Sequence, residues 1–148
     1  MEQQRQGGFL MAKIRQVAGR IFERILNEYG IEINSAQGRI MFALWQQDNI
    51  SINELAQKTQ LKKSTMTSML DRLEKMGYIR RRRSKQDRRK ILIKRTNKDR
   101  NLEKEYVKLS QEHTKLFYRG FSEDQIDRFE KDLKRILNNL VEYESNTS

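Results

Sequence analysis

Apolar residues recur at helical spacing from the start of the chain. Leu10, Ile14, Val17, Ile21 and Ile25 form one stripe, widened by Phe9, Ala18, Phe22 and Leu26. The pattern predicts a first helix over 9–29 that stops at Gly30. A second helix, capped by Asn34 or Ser35, runs to about Gln47 and buries Ile40, Met41, Leu44 and Trp45. Ser51-Ile52-Asn53-Glu54 reads as a capping box: the serine hydroxyl accepts from the Glu54 amide and the Glu54 carboxylate reaches back to the Ser51 amide. A short helix follows with Leu55 and Ala56 inward. After a turn at Gln60-Leu61, a fourth helix over about 62–76 turns Met66, Leu70, Leu73 and Met76 to one side, helped by Met69, and ends at Gly77.

The period then changes. Tyr78-Ile79 opens a run, Ser84–Arg89 is polar, and Ile91-Leu92-Ile93 returns with β-branched side chains, which predicts a two-stranded hairpin. A fifth helix over about 98–119 carries Leu102, Tyr106, Leu109, His113 and Leu116-Phe117. The chain breaks at Gly120, and Ser122-Glu123-Asp124-Gln125 is a second capping box. The last helix, to about Tyr143, carries Ile126, Phe129, Leu133, Ile136-Leu137 and Leu140-Val141, leaving Glu144–Ser148 as a frayed end. The fold class is mainly α: a winged helix-turn-helix core with a two-stranded β-wing and a helical dimerisation region.

Charge sharpens this picture. The 148 residues hold 31 Lys and Arg against 20 Asp and Glu, a net +11. Residues 80–95 contain ten basic groups and one acid, Asp87, so one focal patch sits on a nearly neutral body. Such a patch is the footprint of a polyanion. The order short helix, turn, helix, basic hairpin is a helix-turn-helix with a wing. A helix fits the major groove, where base edges are distinguishable, and a basic hairpin suits the backbone or the minor groove. Off the apolar stripe of the fourth helix lie Lys62, Lys63, Ser64, Thr65, Thr67, Ser68 and Arg72, the candidate recognition surface. Arg80, Arg81, Arg82, Arg83, Lys85, Asp87, Arg88, Arg89 and Lys90 form the candidate wing contact. In a hairpin turn Asp87 can accept from nearby amides and from the Arg89 guanidinium, holding that side chain extended.

Taken together, Ser51–Ala56, Ser64-Thr65-Met66-Thr67, Leu70–Ile79 and Asp87-Arg88-Arg89, with Thr96 closing the second wing strand, resemble the MarR family of winged helix-turn-helix regulators. The resemblance implies a dimer built from the first and last two helices, a ligand cleft between that region and the core, and entry of Arg89 into the minor groove steadied by Asp87. The chain departs from the family pattern at Lys62, Lys85, Arg95 and Asn97–Arg100. Residues 31–96 are the expected DNA-binding core, with 1–30 and 97–148 as the dimerisation region of a single domain.

Wide apolar stripes on the first, fifth and sixth helices predict a homodimer whose interface includes Phe9, Ile14, Tyr106, Leu109, Ile126, Phe129, Leu133, Ile136 and Leu140. Its DNA partner is a pseudo-palindromic operator. The aromatic set Phe9, Phe22, Trp45, Tyr106 and Phe117 is read as core, with part of it as the alternative lining of a pocket for a small-molecule effector. No cofactor or metal is expected: there is no Cys, and the single His113 lies on an apolar stripe. No phosphate-cradling Gly loop or nucleophile–base pairing points to an enzyme. The longest apolar run, Ile40–Trp45, is far too short to span a membrane, and the polar first eight residues lack a signal-peptide pattern, so the location expected is cytoplasmic. The leading reading is a DNA-binding regulator acting as a repressor. The rival is a winged protein that uses its basic hairpin for RNA or a protein partner. Residues 80–90 contain no aromatic for base stacking, which weighs against RNA.

Overall fold

A computed structural model of the chain describes residues 3–147. The elements run α1 (Gly7–Glu28), α2 (Ser35–Gln46), β1 (Ile50–Ser51), α3 (Ile52–Thr59), α4 (Lys63–Lys75), β2 (Ile79–Arg83), β3 (Ile91–Arg95), α5 (Asp99–Phe117) and α6 (Glu123–Thr147). The last helix continues four residues beyond the expected end, through Thr147; Met1, Glu2 and Ser148, which belong to the expected dimerisation segments, lie outside the described residues.

Local chemistry sets the helix ends. Gly30 and Gly77 have φ of +66° and +87°, and each closes its helix with the same paired bonds. The Ile31 amide donates to Leu26 O and the Gly30 amide to Asn27 O. In the same way Tyr78 donates to Leu73 O and Gly77 to Glu74 O. Asn34 caps α2 reciprocally with Gln37, and Ser122 caps α6 reciprocally with Gln125, as its sequence predicts. The Ser51 box forms differently. Ser51 Oγ accepts from the Glu54 amide at 3.1 Å, but the Glu54 carboxylate accepts from the Ser51 hydroxyl rather than its amide. The cause is that Ser51 belongs to a strand. β1 pairs antiparallel with β3, Ile50 opposite Ile93 and Ser51 opposite Leu92, so the sheet has three strands in the order β1-β3-β2 instead of the two expected.

The chain divides into two compact units, one up to Gln111 and the other from Glu112. The first has a continuous core in which Leu26, Ile40, Met41, Leu44, Leu55, Met66, Leu70, Leu73, Ile79 and Ile93 are almost fully buried. Phe22, Leu102, Tyr106 and Leu109 belong to this core as well, which corrects the expectation that Tyr106 and Leu109 are exposed in a single chain. Their exposures are 6% and 7%, and the Tyr106 ring packs against Phe22 and Trp45 with centroids 5.4 Å away in each case. Burial pushes the Tyr106 phenol up to about 12. Phe9 and Phe117, read as core, are instead 62% and 41% exposed.

Tyr106 fits because residue 38 is a glycine. A methyl group on Gly38 would overlap the Tyr106 phenol. Replacing glycine in a helix by alanine ordinarily stabilises by about 1 kcal/mol. Here overpacking against a buried ring costs about 1–3 kcal/mol or more, so the sign should invert. Gly38→Ala is expected to lower the urea midpoint, and Gly38→Ala with Tyr106→Phe to recover part of the loss.

In the second unit Tyr118 packs edge-on against Phe117, Phe121 and Phe129, and its hydroxyl donates to Glu130 at 2.9 Å. Helix α6 has 25 residues and none is buried.

Candidate nucleic-acid interface

Helix α4 buries Met66, Leu70 and Leu73, and this fixes which of its sides faces outward. Lys62, Lys63, Ser64, Thr65, Thr67, Ser68 and Arg72 are all exposed on that outer side. Thr67 Oγ1 donates to Lys63 O at 2.9 Å, a bond that holds its hydroxyl against the helix and leaves the oxygen able to accept. Lys62 occupies the N-cap without a side-chain bond, so the first turn of α4 keeps free amides beside two lysines. The turn from α3 is made by Gln60 in a left-handed conformation, φ +58°.

In the wing, β2 and β3 pair from Ile79 opposite Arg95 to Arg83 opposite Ile91. Strand alternation divides the arginine run between two faces. Arg80 and Arg82 face outward, while Arg81 shares the face of buried Ile79 and Ile93. Arg81, read with the wing contact, is thus turned toward α4. Its guanidinium lies 2.6 Å from Asp71 and 2.9 Å from Glu74, and its amide donates to Glu74 at 3.0 Å. The amide and guanidinium of Arg81 together hold the Glu74 carboxyl below its ordinary range. Arg81 is therefore a brace between α4 and β2, and its charge is spent inside the protein.

The tip is ordered by its own side chains. Ser84 Oγ accepts from the Gln86 and Asp87 amides, both at 3.2 Å. Ser84 N donates to Lys90 O and Lys90 N to Asp87 O, each at 2.9 Å, and the Arg83 guanidinium donates to Arg88 O at 3.0 Å. Asp87 Oδ1 accepts from the Arg89 amide at 3.1 Å and from Arg89 Nε at 3.2 Å. The Arg89 side chain is 92% exposed, so one edge of its guanidinium is held and the other faces solvent. Arg82, Arg83, Lys85, Arg88 and Lys90 are exposed around it.

The base of the wing is fixed by groups that the sequence reading did not assign. Asp99 is fully buried; Trp45 Nε1 donates to its two oxygens at 3.0 and 3.1 Å, and Arg95 Nε lies 2.5 Å away. Arg95 also pairs with Glu103 at 2.7 Å, and its amide donates to Asp48 at 2.9 Å. Thr96 Oγ1 donates to Gly77 O, and Lys98 Nζ donates to Met76 O at the end of α4. Residues 45 and 99 are far apart in the chain, and no local pattern announces such a pair.

Of the candidate interface residues between chains, Phe9, Ile14, Ile136 and Leu140 are exposed, while Ile126, Phe129 and Leu133 are half-buried. Leu10, Met11, Val17 and Leu137 join the exposed set. Among the described residues no group of His, Cys, Asp and Glu is arranged to hold a metal ion, and no helix is long and apolar enough to cross a membrane.

Residues 33–91 match the MarR family. The chain is 32% identical over 84 residues to the HTH-type transcriptional regulator TtmR of Methylorubrum extorquens, a match that spans 57% of this chain and 42% of that protein. Its fold is similar to that of a MarR mutant from E. coli solved in complex with operator DNA, with a TM-score of 0.78 and 24% identity over 88% of this chain and 92% of the other. It is also similar to BpsR of Bordetella bronchiseptica, whose DNA binding is regulated by 6-hydroxynicotinic acid, with a TM-score of 0.79 and 22% identity over 89% and 98%.

Proposed function

The chain belongs to the MarR family through residues 33–91, and from that premise we propose that it is a transcription regulator, not an enzyme, that binds a pseudo-palindromic operator as a homodimer and acts as a repressor. The recognition surface is the outer side of α4, set in the major groove. The wing reaches the adjacent minor groove through Arg89. The observation that carries this reading is the geometry of the tip: an acid within a strongly basic stretch repels phosphate, yet Asp87 spends its oxygen holding the amide and Nε of Arg89. A side chain held in advance loses less rotamer freedom on insertion, where a free one loses roughly 1–2 kcal/mol. A dimer places half-sites about 10 base pairs apart, one helical turn.

The reading is tested by fluorescence anisotropy on a fixed operator selected from random duplex by the purified protein. Arg89→Ala should weaken binding about tenfold, more than Arg82→Ala or Lys85→Ala, and Asp87→Ala should weaken it too although the protein becomes more positive. Arg81→Ala should act through stability rather than through a direct phosphate contact. About ten neutralised phosphates per dimer would give a log-affinity against log-salt slope near −9. Tighter binding by folded Asp87→Ala would remove the orienting role, and a slope near zero, or preference for structured RNA, would overturn the DNA reading.

A second reading concerns an effector. A cavity of about 460 Å³ in the first unit is lined by Gly38, Arg39, Phe42, Lys58, Tyr106 and Ser110. Two aromatic rings beside two cations suit a small aromatic acid, the class of ligand named for BpsR.

A further inference from the structure

The outward face of the wing carries charge that the tip does not use. Arg80 stands directly opposite Lys94 in the β2–β3 ladder, and Arg82 follows on the same face. Like charges directly opposite on an antiparallel pair destabilise it. Among the described residues, the side chains of Arg80, Arg82 and Lys94 have no carboxylate partner; the neighbouring Glu74 has both oxygens occupied by Arg81. Lys98 adds a fourth cation, with Glu32 at 3.9 Å as its nearest acid. Of the other three basic groups of this strand pair, Arg81 is neutralised by α4 and Arg95 by Asp99 and Glu103, while Arg83, at the tip end, donates to Arg88 O. At the base of the wing the sheet therefore turns its paired cations, Arg81 and Arg95, inward and its unpaired ones, Arg80, Arg82 and Lys94, outward.

These cations line a groove rather than a ridge. Its volume is about 700 Å³, and Glu74, Gly77, Ile79, Arg95, Thr96 and Asn97 complete its wall; Glu74 and Arg95 are the two charged groups there already engaged, by Arg81 and by Asp99 and Glu103. That size is within the range of small-ligand sites. The groove is also displaced from the tip. At about 3.3 Å per residue, Arg80 and Lys94 sit roughly 13 Å along the strands from the Ser84 turn that carries Arg89 outward. A duplex backbone is met by cations that protrude, whereas a concave set converging from two strands and a loop fits a compact anion with several charges.

We propose that this groove at the wing base binds a polyphosphate anion, a ligand bearing two or more adjacent phosphate groups, such as a nucleoside di- or triphosphate or pyrophosphate. Arg80 and Arg82 supply forked donors to phosphate oxygens, Lys94 and Lys98 supply point charges, and the Asn97 amide donates at the edge. Binding relieves the Arg80–Lys94 repulsion, so the ligand stabilises the fold that binds it. The site does not depend on operator binding and stands or falls separately from it.

The probe is pyrophosphate, titrated calorimetrically into the full chain without DNA, with sulfate at equal ionic strength as the control. The expected result is one pyrophosphate per chain, little heat with sulfate, and a thermal midpoint raised by pyrophosphate. Arg80→Gln and Lys94→Gln should each weaken binding about tenfold, the loss of one charge-assisted contact, while Arg89→Ala at the tip leaves it unchanged. Arg80→Gln in the absence of ligand should melt no lower than the parent, which separates a lost site from a lost fold. Binding of ATP alongside pyrophosphate would point to a nucleotide ligand, and pyrophosphate alone to the inorganic anion; either supports the site. Absence of binding at millimolar pyrophosphate, equal binding of sulfate, or equal weakening by Arg89→Ala would overturn the proposal. So would an Arg80→Gln/Lys94→Gln variant that loses operator affinity while the parent chain shows no pyrophosphate binding, since the face would then be a backbone contact for DNA.

Discussion

Replacing Asp99 by Ala is expected to lower the stability of the first unit by about 3 kcal/mol, toward the lower end of the cost of removing one partner from a buried ion pair. The carboxylate is fully buried and accepts from Trp45 and Arg95, which come from α2 and the end of β3. Its removal leaves the indole N–H without an acceptor and leaves Arg95 only Glu103. Asp99→Asn should cost less, because an amide oxygen still accepts from Trp45. Urea unfolding followed by tryptophan fluorescence checks both, and an alanine variant within about 0.5 kcal/mol of the parent, the scale of ordinary surface changes, would refute the anchor. The pH dependence has a definite sign. Burial is the leading influence on the Asp99 carboxyl and holds it above its ordinary value, against the hydrogen bonds from Trp45 and Arg95. A carboxyl raised in this way binds its proton more tightly folded than unfolded. Its contribution to stability is therefore greatest below the unfolded value near ~3.9, declines as pH rises through the folded value, and is level above it. Asp99→Asn should remove that decline.

The second large effect concerns association. Ile136→Asp with Leu140→Asp is expected to leave a monomer at micromolar concentration and to reduce operator affinity by about 10²–10⁴-fold, the gain that linking two binding modules supplies. Leu140 is 63% exposed, and α6 has no buried residue along 25 positions, so its apolar residues Ile136, Leu137 and Leu140 are uncovered within one chain. Exposed stripes of this length mark interfaces. Helix α1 presents a comparable set in Phe9, Leu10, Met11, Ile14 and Val17. The substitutions lie in the second unit and not among the residues that form the buried core. Sedimentation velocity and anisotropy on the same samples give the answer. A parent chain that sediments only as a monomer, or a double variant that still dimerises, would overturn the interface.

The helices were legible because a 3.6-residue period and a terminal glycine are local signals. Gly30 and Gly77 have the positive φ that their positions imply, and the Ser122 box forms as written. The wing tip was legible for the same reason: Asp87 and Arg89 are two residues apart, and their bond is made within a turn. What escaped was non-local. β1 is two residues long, and its existence depends on Ile93 and Leu92 being brought alongside. An apolar stripe says that a helix face is covered but not by what, so Tyr106 and Leu109 were assigned to a second chain when α5 turns them into its own core. The two faces of the arginine run were within reach of strand alternation, since Ile79 and Ile93 mark the inner side. Only the clamp that receives Arg81 required the third dimension.

That clamp works as a gauge. Because Arg81 joins the C-terminal half of α4 to β2 through two carboxylates and a backbone amide, the reading helix and the wing do not pivot independently. The distance from the outer side of α4 to Arg89 is built into one rigid piece. On the proposed reading, a duplex that binds must present a major groove and its neighbouring minor groove at that fixed separation. Base steps that no side chain touches then enter the choice of site through the work needed to bring the two grooves to the gauge.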